Sequence, residues 1–337
     1  MTKPWPPPKK TDLYRSLLGR PEREMRADVV RQWREYKTIL ITGAGGSIGS
    51  ELARTIAALP VEPEDSSRLL LMDRSEPALT KIARELPDAR PLLADCSDRN
   101  VGNVFQELRP DIVLHCAAHK HVPLLQQSPD EAVRNNYRAA RNCADAARSC
   151  GVGTFVLVST DKACQPISTM GLTKALCEHY VRWCASKCSP RHANKYVGTI
   201  GPPKGKTAFC IVRFGNVLGS DGSVIPIWEE QLAKKEPLAV TDQSMARYLM
   251  TLGEAAGLVL EAGAMCEGGE TFVLSMGEPV PLWWLLNNFL EVASPDCPQA
   301  TTNIGPRPGE KQCETLTNEN EKLVPTGVEG IQRVEIL

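Results

Sequence analysis

The sequence predicts an α/β fold, a doubly wound parallel sheet with a smaller C-terminal lobe. Three observations predict it. Short apolar runs alternate with helical patterns from Lys37 onward, a glycine-rich turn joins the first run to its helix, and the pattern changes character from Asn216. At about 150 residues per domain, 337 residues correspond to two domains, or to one large domain with an appended lobe. Apolar residues make up 42% and charged residues 23%, ordinary values that exclude a disordered or fibrous chain. The 39 Lys and Arg against 40 Asp and Glu leave a net charge of -1, which supplies no global field for gripping nucleic acid or an anionic membrane. Any anionic ligand must be held locally.

Taken in order, residues 1–36 read as an arm: a Pro-rich tip, then a charged stretch with scattered apolar positions that predicts short helices packing on something larger. The arm points to subunit contacts and so to a homo-oligomer. Residues 37–215 carry the runs TILIT, LLLM, PLLA, DIVLHC, TFVLVS and AFCIVRF, each followed by a candidate helix or loop, the rhythm of βαβ units. Residues 187–206 turn to Pro, Gly, Lys and Asn, a surface excursion. Residues 216–337 form the lobe, with elements returning to the sheet, helices near 224–234 and 253–262, and an apolar stretch at 280–292. No run approaches the ~18 apolar residues needed to cross a bilayer, and the start is not signal-like, so a cytoplasmic protein without a membrane segment is expected. The 12 cysteines then read as reduced thiols. Cys184 and Cys188 lack a second pair at zinc spacing and read as core residues, so no metal is expected.

The first run leads into GAGGSIGSELAR, which places Gly43, Gly46 and Gly49 between a strand and a helix. Glycines there permit a tight turn and close approach of backbone to a pyrophosphate, whose charge the helix N-terminus stabilises. Ser47 and Ile48 belong to the same turn and join the expected cofactor contacts. Asp73 ends the second run 24 residues after Gly49, where a carboxylate can bind the adenosine ribose hydroxyls. Together these predict a Rossmann-like dinucleotide site. Asp73 repels a 2′-phosphate and favours NAD, although Arg74 beside it offers that phosphate a partner and keeps NADP open. Asp95 has two readings, a contact to the adenine edge or a cap for the residues after it, and Cys96 is expected beside it in the cofactor site.

The GxxGxxG spacing is that of extended short-chain dehydrogenase/reductase proteins. The segments HCAAHKHVPLLQQSPDEAVRNN, STDKACQPISTMGLTKALCE, VRFGNVLGSDGSVIPIW, MARYLMT and GPRPGEK resemble, in order and spacing, the CapD-like nucleotide-sugar 4,6-dehydratases of polysaccharide biosynthesis, including the soluble parts of WbpM-like and PglF-like proteins. The resemblance covers about residues 13–326. Many relatives carry membrane helices ahead of the LLGR segment and a longer tail, so the resemblance implies a stand-alone soluble form or a trimmed catalytic region. It also implies a UDP-sugar substrate, usually UDP-N-acetylglucosamine, and a 4-keto-6-deoxy product.

Such a dehydration needs a ketone at carbon 4, because only then is the hydrogen on carbon 5 acidic enough to leave. NAD takes the hydride and later returns it to carbon 6, while an acid and a base manage the protons. By analogy with the family, Asp161 is the acid toward the carbon 6 hydroxyl and Lys162 the base at carbon 5. In most short-chain dehydrogenases a Tyr four residues before a Lys deprotonates the oxidised hydroxyl; here that position is Met170, with Lys174 retained for the nicotinamide ribose. A thioether cannot act as a base, so Thr160 with an ordered water is expected to relay the carbon 4 proton, with Lys162 or Lys174 as alternatives. Arg247 and Arg307 are the family-matched cations for the diphosphate, with Asn216 and Glu310 beside them. Ala117, Ala118, His119 and Lys120 follow the fourth run and face cofactor and sugar, and Asn136 resembles a helix Asn that supports the active-site backbone. A UDP-sugar 4-epimerase or a non-catalytic cofactor-binding sensor are the competing readings.

Overall fold

The structure, a computed structural model, describes residues 10–26, 33, 38–59, 68–188, 206–294 and 300–337. The expected excursion at 187–206 falls almost wholly outside the described residues.

After the arm helix α1 (Lys10–Leu17), the chain lays down β1 (Thr38–Thr42), α2 (Ser47–Ala57), β2 (Arg68–Asp73), α3 (Glu76–Glu85), β3 (Arg90–Leu93), α4 (Val101–Leu108) and β4 (Ile112–His115). Short helices α5 (Val122–Gln127) and α6 (Pro129–Ala132) then run through a π-helical segment, Val133–Arg138, into α7 (Ala139–Cys150). Next come β5 (Thr154–Val158), α8 (Thr169–Cys188), β6 (Ala208–Arg213) and β7 (Asn216–Val217). The remainder is α9 (Val224–Lys234), β8 (Leu238–Val240), β9 (Ala246–Arg247), β10 (Leu249–Met250), α10 (Leu252–Ala264), β11 (Thr271–Leu274), β12 (Val280–Pro281), α11 (Leu282–Ala293), β13 (Thr301–Asn303), β14 (Glu321–Pro325) and β15 (Ile331–Ile336).

One nine-stranded sheet has the order β14-β15-β11-β6-β5-β4-β1-β2-β3. All neighbours from β3 to β11 are parallel, and the β14–β15 hairpin closes the far edge antiparallel. The central strands read as near-continuous apolar runs because helices cover both faces. Alternate residues then divide into two cores: Ile39, Ile41, Leu114 and Val156 pack with Leu52 and Ile56 of α2 and Val259 of α10, whereas Leu40, Val113, Phe155 and Leu157 pack with Phe105, Ala147, Cys177 and Val181. The order reverses between β1 and β4, which opens a crevice at the carboxyl ends of the strands.

The lobe has its own core of Leu218, Ile225, Trp228, Leu249, Leu286 and Phe289, and the arm joins it through Leu13, Leu17 and Leu18. Arg20 and Arg23 clamp the arm to α10 by ion pairs with the buried Glu254 (2.5 Å) and Glu261 (2.7 Å). The described arm residues thus pack on their own chain. A second buried clamp ties the C-terminal hairpin to the sheet: Arg213, fully enclosed, bonds Glu178 of α8 and Glu321 of β14 at 2.6 Å each. Those carboxylates hold the guanidinium charged in spite of its burial, and Arg213 draws the Glu321 carboxyl down to about 2. Elements after Asn216 therefore do two jobs: β11, β14 and β15 extend the sheet, and the rest build the lobe. Among the described residues, no helix is long and apolar enough to cross a membrane. The described cysteines are free thiols, most of them buried. Burial pushes the Cys164 and Cys184 thiols up to about 12, the behaviour of inert core groups.

Candidate active site

The crevice holds a cavity of about 590 Å³ between sheet and lobe. Its floor is the turn after β1. Gly43 adopts φ +69°, and a Cβ there would lie 2.7 Å from the backbone of Ala117; a Cβ on Gly49 would lie 2.2 Å from the Gly43 carbonyl oxygen. Only glycine lets α2 begin so close to the turn. Gly46 starts α2 with no side-chain cap, which leaves the first N–H groups, at Ser47 and Ile48, for a ligand in the cavity these residues line. Asp73 braces this seat: Oδ2 accepts the Gly45 N–H at 2.9 Å and Oδ1 the Ser75 N–H at 2.8 Å, with lone pairs left over for hydroxyls.

Arg74 is not a free cation. Its guanidinium lies 3.3 Å from Glu131 and 4.0 Å from Asp95 and contacts His119 Nε2. Hydrogen bonds from Arg134 first, then from Arg74 and His119, hold the Glu131 carboxyl down to about 2. Glu131 and Arg134, which the sequence reading did not single out, hold Arg74, His119 and Asp95 in place. Asp95 Oδ1 accepts the Ser97 N–H at 2.7 Å, which closes a turn rather than capping α4, whose N-cap is Asn100, and Oδ2 pairs with Arg134. Burial pushes this carboxyl up, but the Ser97 bonds and the charges of Arg74 and Arg134 outweigh it. The Cys96 side chain turns away into the core, 3.6 Å from Met72 Sδ, so only its backbone can face a cofactor. Ala117 packs beneath Gly43, and Ala118 lines the cavity.

At the other end, Thr160, Asp161 and Lys162 follow β5. Thr160 caps the one-turn helix Asp161–Ala163 and lines the cavity. Its hydroxyl donates to Asp161 Oδ1 at 2.8 Å, and Lys162 Nζ donates to the same oxygen at 3.0 Å and to Asn216 Oδ1 at 3.0 Å. Asp161 is fully enclosed, and its Oδ2 accepts no hydrogen bond. The expected acid therefore stands behind Thr160 and Lys162 rather than on the cavity wall, and Asn216 faces the lysine. Glu314, buried and unforeseen, completes the group: Oε1 stands 3.8 Å from Lys162 Nζ and Oε2 3.5 Å from Lys311 Nζ.

Met170 lines the cavity one helical turn before Lys174, as the spacing requires. Lys174 is buried and donates to the Val158 carbonyl at 2.6 Å. Asn136 does not reach the cavity; it lies in the π-helical segment, accepts the His119 N–H at 2.8 Å, and donates to the His119 carbonyl and to Thr173 Oγ1 at 3.1 Å each. It is a support for the backbone beside the cavity rather than a substrate contact, and widened helical turns of this kind recur at functional sites. Lys120, from the loop after β4, and Arg247, Arg307 and Glu310, from the lobe, line the cavity. Burial pushes the Lys120 ammonium below its ordinary value against the pull of Asp221. Arg247 donates to the carbonyls of Ala246, Gln312 and Lys311 at 2.8–2.9 Å, so it also fastens the segment that carries Glu310 and Glu314. Ser47 bonds Asp221 across the cleft at 3.0 Å and 3.1 Å.

The profile of the family described as "Polysaccharide biosynthesis protein" matches residues 39–336. The chain belongs to that family. Within the polysaccharide biosynthesis family it is 39% identical to the capsular polysaccharide biosynthesis protein CapD of Staphylococcus aureus and 40% identical to the probable polysaccharide biosynthesis protein EpsC of Bacillus subtilis, each over 90% of this chain and 49% of the relative. The chain thus spans about half the length of these curated relatives. A UDP-glucose 4-epimerase of Rickettsia akari is 32% identical over 88% of this chain and 82% of its own length. Among solved structures, Pen from Bacillus thuringiensis superposes with a TM-score of 0.74 at 30% identity, covering 88% of both chains. The UDP-glucose 4-epimerase of Thermus thermophilus in complex with NAD superposes with a TM-score of 0.68 at 22% identity, covering 83% of this chain and 90% of that one, a likeness of fold.

Proposed function

We propose that this member of the polysaccharide biosynthesis family is an NAD-dependent nucleotide-sugar 4,6-dehydratase that takes UDP-N-acetylglucosamine to its 4-keto-6-deoxy product. One observation carries the reading: Thr160, Asp161 and Lys162 form a hydrogen-bonded acid–base run at the cavity, while Met170 stands where a proton-abstracting Tyr would be. Epimerisation needs one proton relay at carbon 4. Dehydration needs, in addition, a base at carbon 5 and an acid at carbon 6, and this run supplies both.

The glycine seat fits a dinucleotide, since glycines at 43 and 49 let α2 start hard against the turn and leave the Ser47 and Ile48 N–H groups at the cavity for a pyrophosphate. Gly43, Gly46, Ser47, Ile48 and Gly49 would hold the pyrophosphate, Asp73 the adenosine ribose and Lys174 the nicotinamide ribose. Bound there, NAD supplies a hydride acceptor for carbon 4 and a donor for carbon 6. The carboxylates of Asp73, Asp95 and Glu131 around Arg74 oppose a 2′-phosphate and support NAD over NADP. Lys120, Arg247 and Arg307 supply positive charge for a diphosphate in the cavity.

Thr160 passes the carbon 4 hydroxyl proton, through an ordered water on its substrate side, to Asp161 Oδ1. Lys162 lifts the carbon 5 proton. Asp161 then returns its proton through Thr160 to the departing carbon 6 oxygen, which leaves as water, and Lys162 gives its proton back to carbon 5. Protons balance over the cycle: the carbon 4 hydroxyl proton leaves with the carbon 6 oxygen.

The test is incubation of the purified chain and NAD with UDP-N-acetylglucosamine, followed by NMR of the sugar. The reading expects a 4-keto-6-deoxy hexosamine. The name of the Rickettsia relative favours epimerisation as the second reading, which would give the 4-epimer with carbon 6 still hydroxylated. Binding without turnover would instead identify a sensor.

A further inference from the structure

We propose that Glu314 is the proton acceptor that readies Lys162 to act as a base. The inference rests on the dehydratase reading and adds to it a residue with a defined task. Lys162 is the one member of the Asp161–Lys162–Glu314 group that lines the cavity, and it is flanked by two carboxylates that are at most a few per cent exposed, 0% and 4%. Nζ donates to Asp161 Oδ1 and to Asn216 Oδ1, and an ammonium in that place would have no lone pair with which to lift a proton from carbon 5. Its own proton must first go elsewhere, and among the described residues two carboxylates stand within 4 Å of Nζ, the third neighbour, Asn216 Oδ1, being an amide oxygen that does not store a proton.

Asp161 is set aside by the proton it carries rather than by its contacts, since its Oδ2, like Oε2 of Glu314, accepts no hydrogen bond. Its Oδ1 accepts both the Thr160 hydroxyl and the Lys162 ammonium. In the proposed cycle it also holds the carbon 4 hydroxyl proton at the moment carbon 5 is deprotonated. Two protons are then stored on the protein at once beyond the one on Lys162, so two carboxylates are needed. Glu314 is the second: Oε1 stands 3.8 Å from Lys162 Nζ, while Oε2 is buried and accepts no hydrogen bond. Lys311 Nζ, 3.5 Å from Oε2 and anchored on the Cys164 carbonyl at 2.7 Å, keeps the carboxylate from lying uncompensated in the interior.

The step balances. One N–H bond of the Lys162 ammonium breaks and one O–H bond forms on Glu314, leaving a neutral amine and a carboxylic acid; the amine takes the carbon 5 proton, and after that proton returns to carbon 5 the Glu314 proton goes back to Lys162. No electrons move in this exchange. Glu314 acts through Lys162 and is a positioning residue in the proton path, not a contact of the sugar.

Solvent deuterium entering carbon 5 during turnover of UDP-N-acetylglucosamine reads this step, because only then does Asp161 already hold the carbon 4 proton. In deuterated water, the parent protein with NAD is expected to label carbon 5 of the product at the rate of turnover. Glu314→Gln should slow this labelling about tenfold or more, toward the 10²–10⁴-fold scale of lost acid–base help, while reduced nicotinamide still forms from UDP-N-acetylglucosamine at close to the parent rate. Glu314→Asp, which keeps the carboxylate, should recover part of the labelling, and it serves as the slowed variant if Glu314→Gln does not fold. Labelling at the parent rate in Glu314→Gln overturns the proposal, as does an equal fall in labelling and nicotinamide reduction, which is the mark of a merely structural role. Failure of the parent itself to label carbon 5 or to make the product would overturn the dehydratase reading instead.

Discussion

The seat formed by Gly43–Gly49 and Asp73 is built from residues near one another in the chain and fixed by backbone, whereas the group around Lys162 draws Asp161, Asn216 and Glu314 from three separate segments. Tolerances differ accordingly. In the seat, a single Cβ would come within 2.2 Å of a carbonyl oxygen, and nothing there can yield without moving a strand or a helix. Around Lys162, side-chain ends meet at 3.0–3.8 Å, distances that a water or a rotamer change can adjust. The seat is therefore expected to fail all at once, and the acid–base group one proton transfer at a time.

The largest effect that would sharpen this contrast is expected from Gly49→Val. It should abolish NAD binding by calorimetry while the isolated protein keeps its far-ultraviolet dichroism; retained NAD affinity would break the account of the seat. Thr160→Val comes next. Removing the hydroxyl that joins the cavity to Asp161 should slow nicotinamide reduction by about 10²–10⁴-fold with little change in UDP-sugar affinity. Reduction at the parent rate would leave a lysine as the carbon 4 base. Asp73→Ala should weaken NAD by about tenfold, the scale of one or two hydrogen bonds, and weaken NADP less because a repulsive charge is lost. Equal losses for both cofactors would contradict its place at the ribose.

The smallest effect concerns stability. Burial first, then the charge of Lys174, pushes His115 from its ordinary 6.5 down to about 3, so the imidazole is neutral in the fold. A base with a depressed native value contributes its full share of stability above pH 6.5 and loses it as pH falls toward 3. Denaturation of the parent at about pH 7 and pH 4.5 should show that loss, and His115→Asn should narrow the gap between the two. An unchanged gap would assign the acid sensitivity to other groups.

The same contrast explains what could be read beforehand. The strand runs, the glycine turn, Asp73 and the Met170–Lys174 spacing are local patterns, set by period and turn chemistry, and they appear in the structure where the sequence puts them. Helix α9 spans the expected 224–234, and the apolar stretch at 280–292 resolves into β12 and α11. Glu314, Glu131 and the Arg213 clamp were not legible, because each gains its meaning from partners far along the chain: Glu314 from Lys162, Arg213 from Glu178 and Glu321. The enclosure of Asp161 was hidden for the same reason, since β6 and the turn at Gly215 close over a side chain that reads as an open loop residue; a Cβ on Gly215 would lie 3.1 Å from Asp161 Oδ2. The one available signal for Glu314 was its position three residues past GPRPGEK, the segment marked by its resemblance to the family.

The central claim is that hydride removal at carbon 4 and proton removal at carbon 5 are handled by different side chains, and Lys162→Met tests it most directly. Reduced nicotinamide and carbon 5 deuterium exchange are followed on the same preparation, the first with UDP-N-acetylglucosamine and the second with the 4-keto-6-deoxy sugar. The account predicts nicotinamide reduction near the parent rate and carbon 5 exchange no faster than in buffer. Loss of nicotinamide reduction, or exchange persisting at the parent rate, would contradict it.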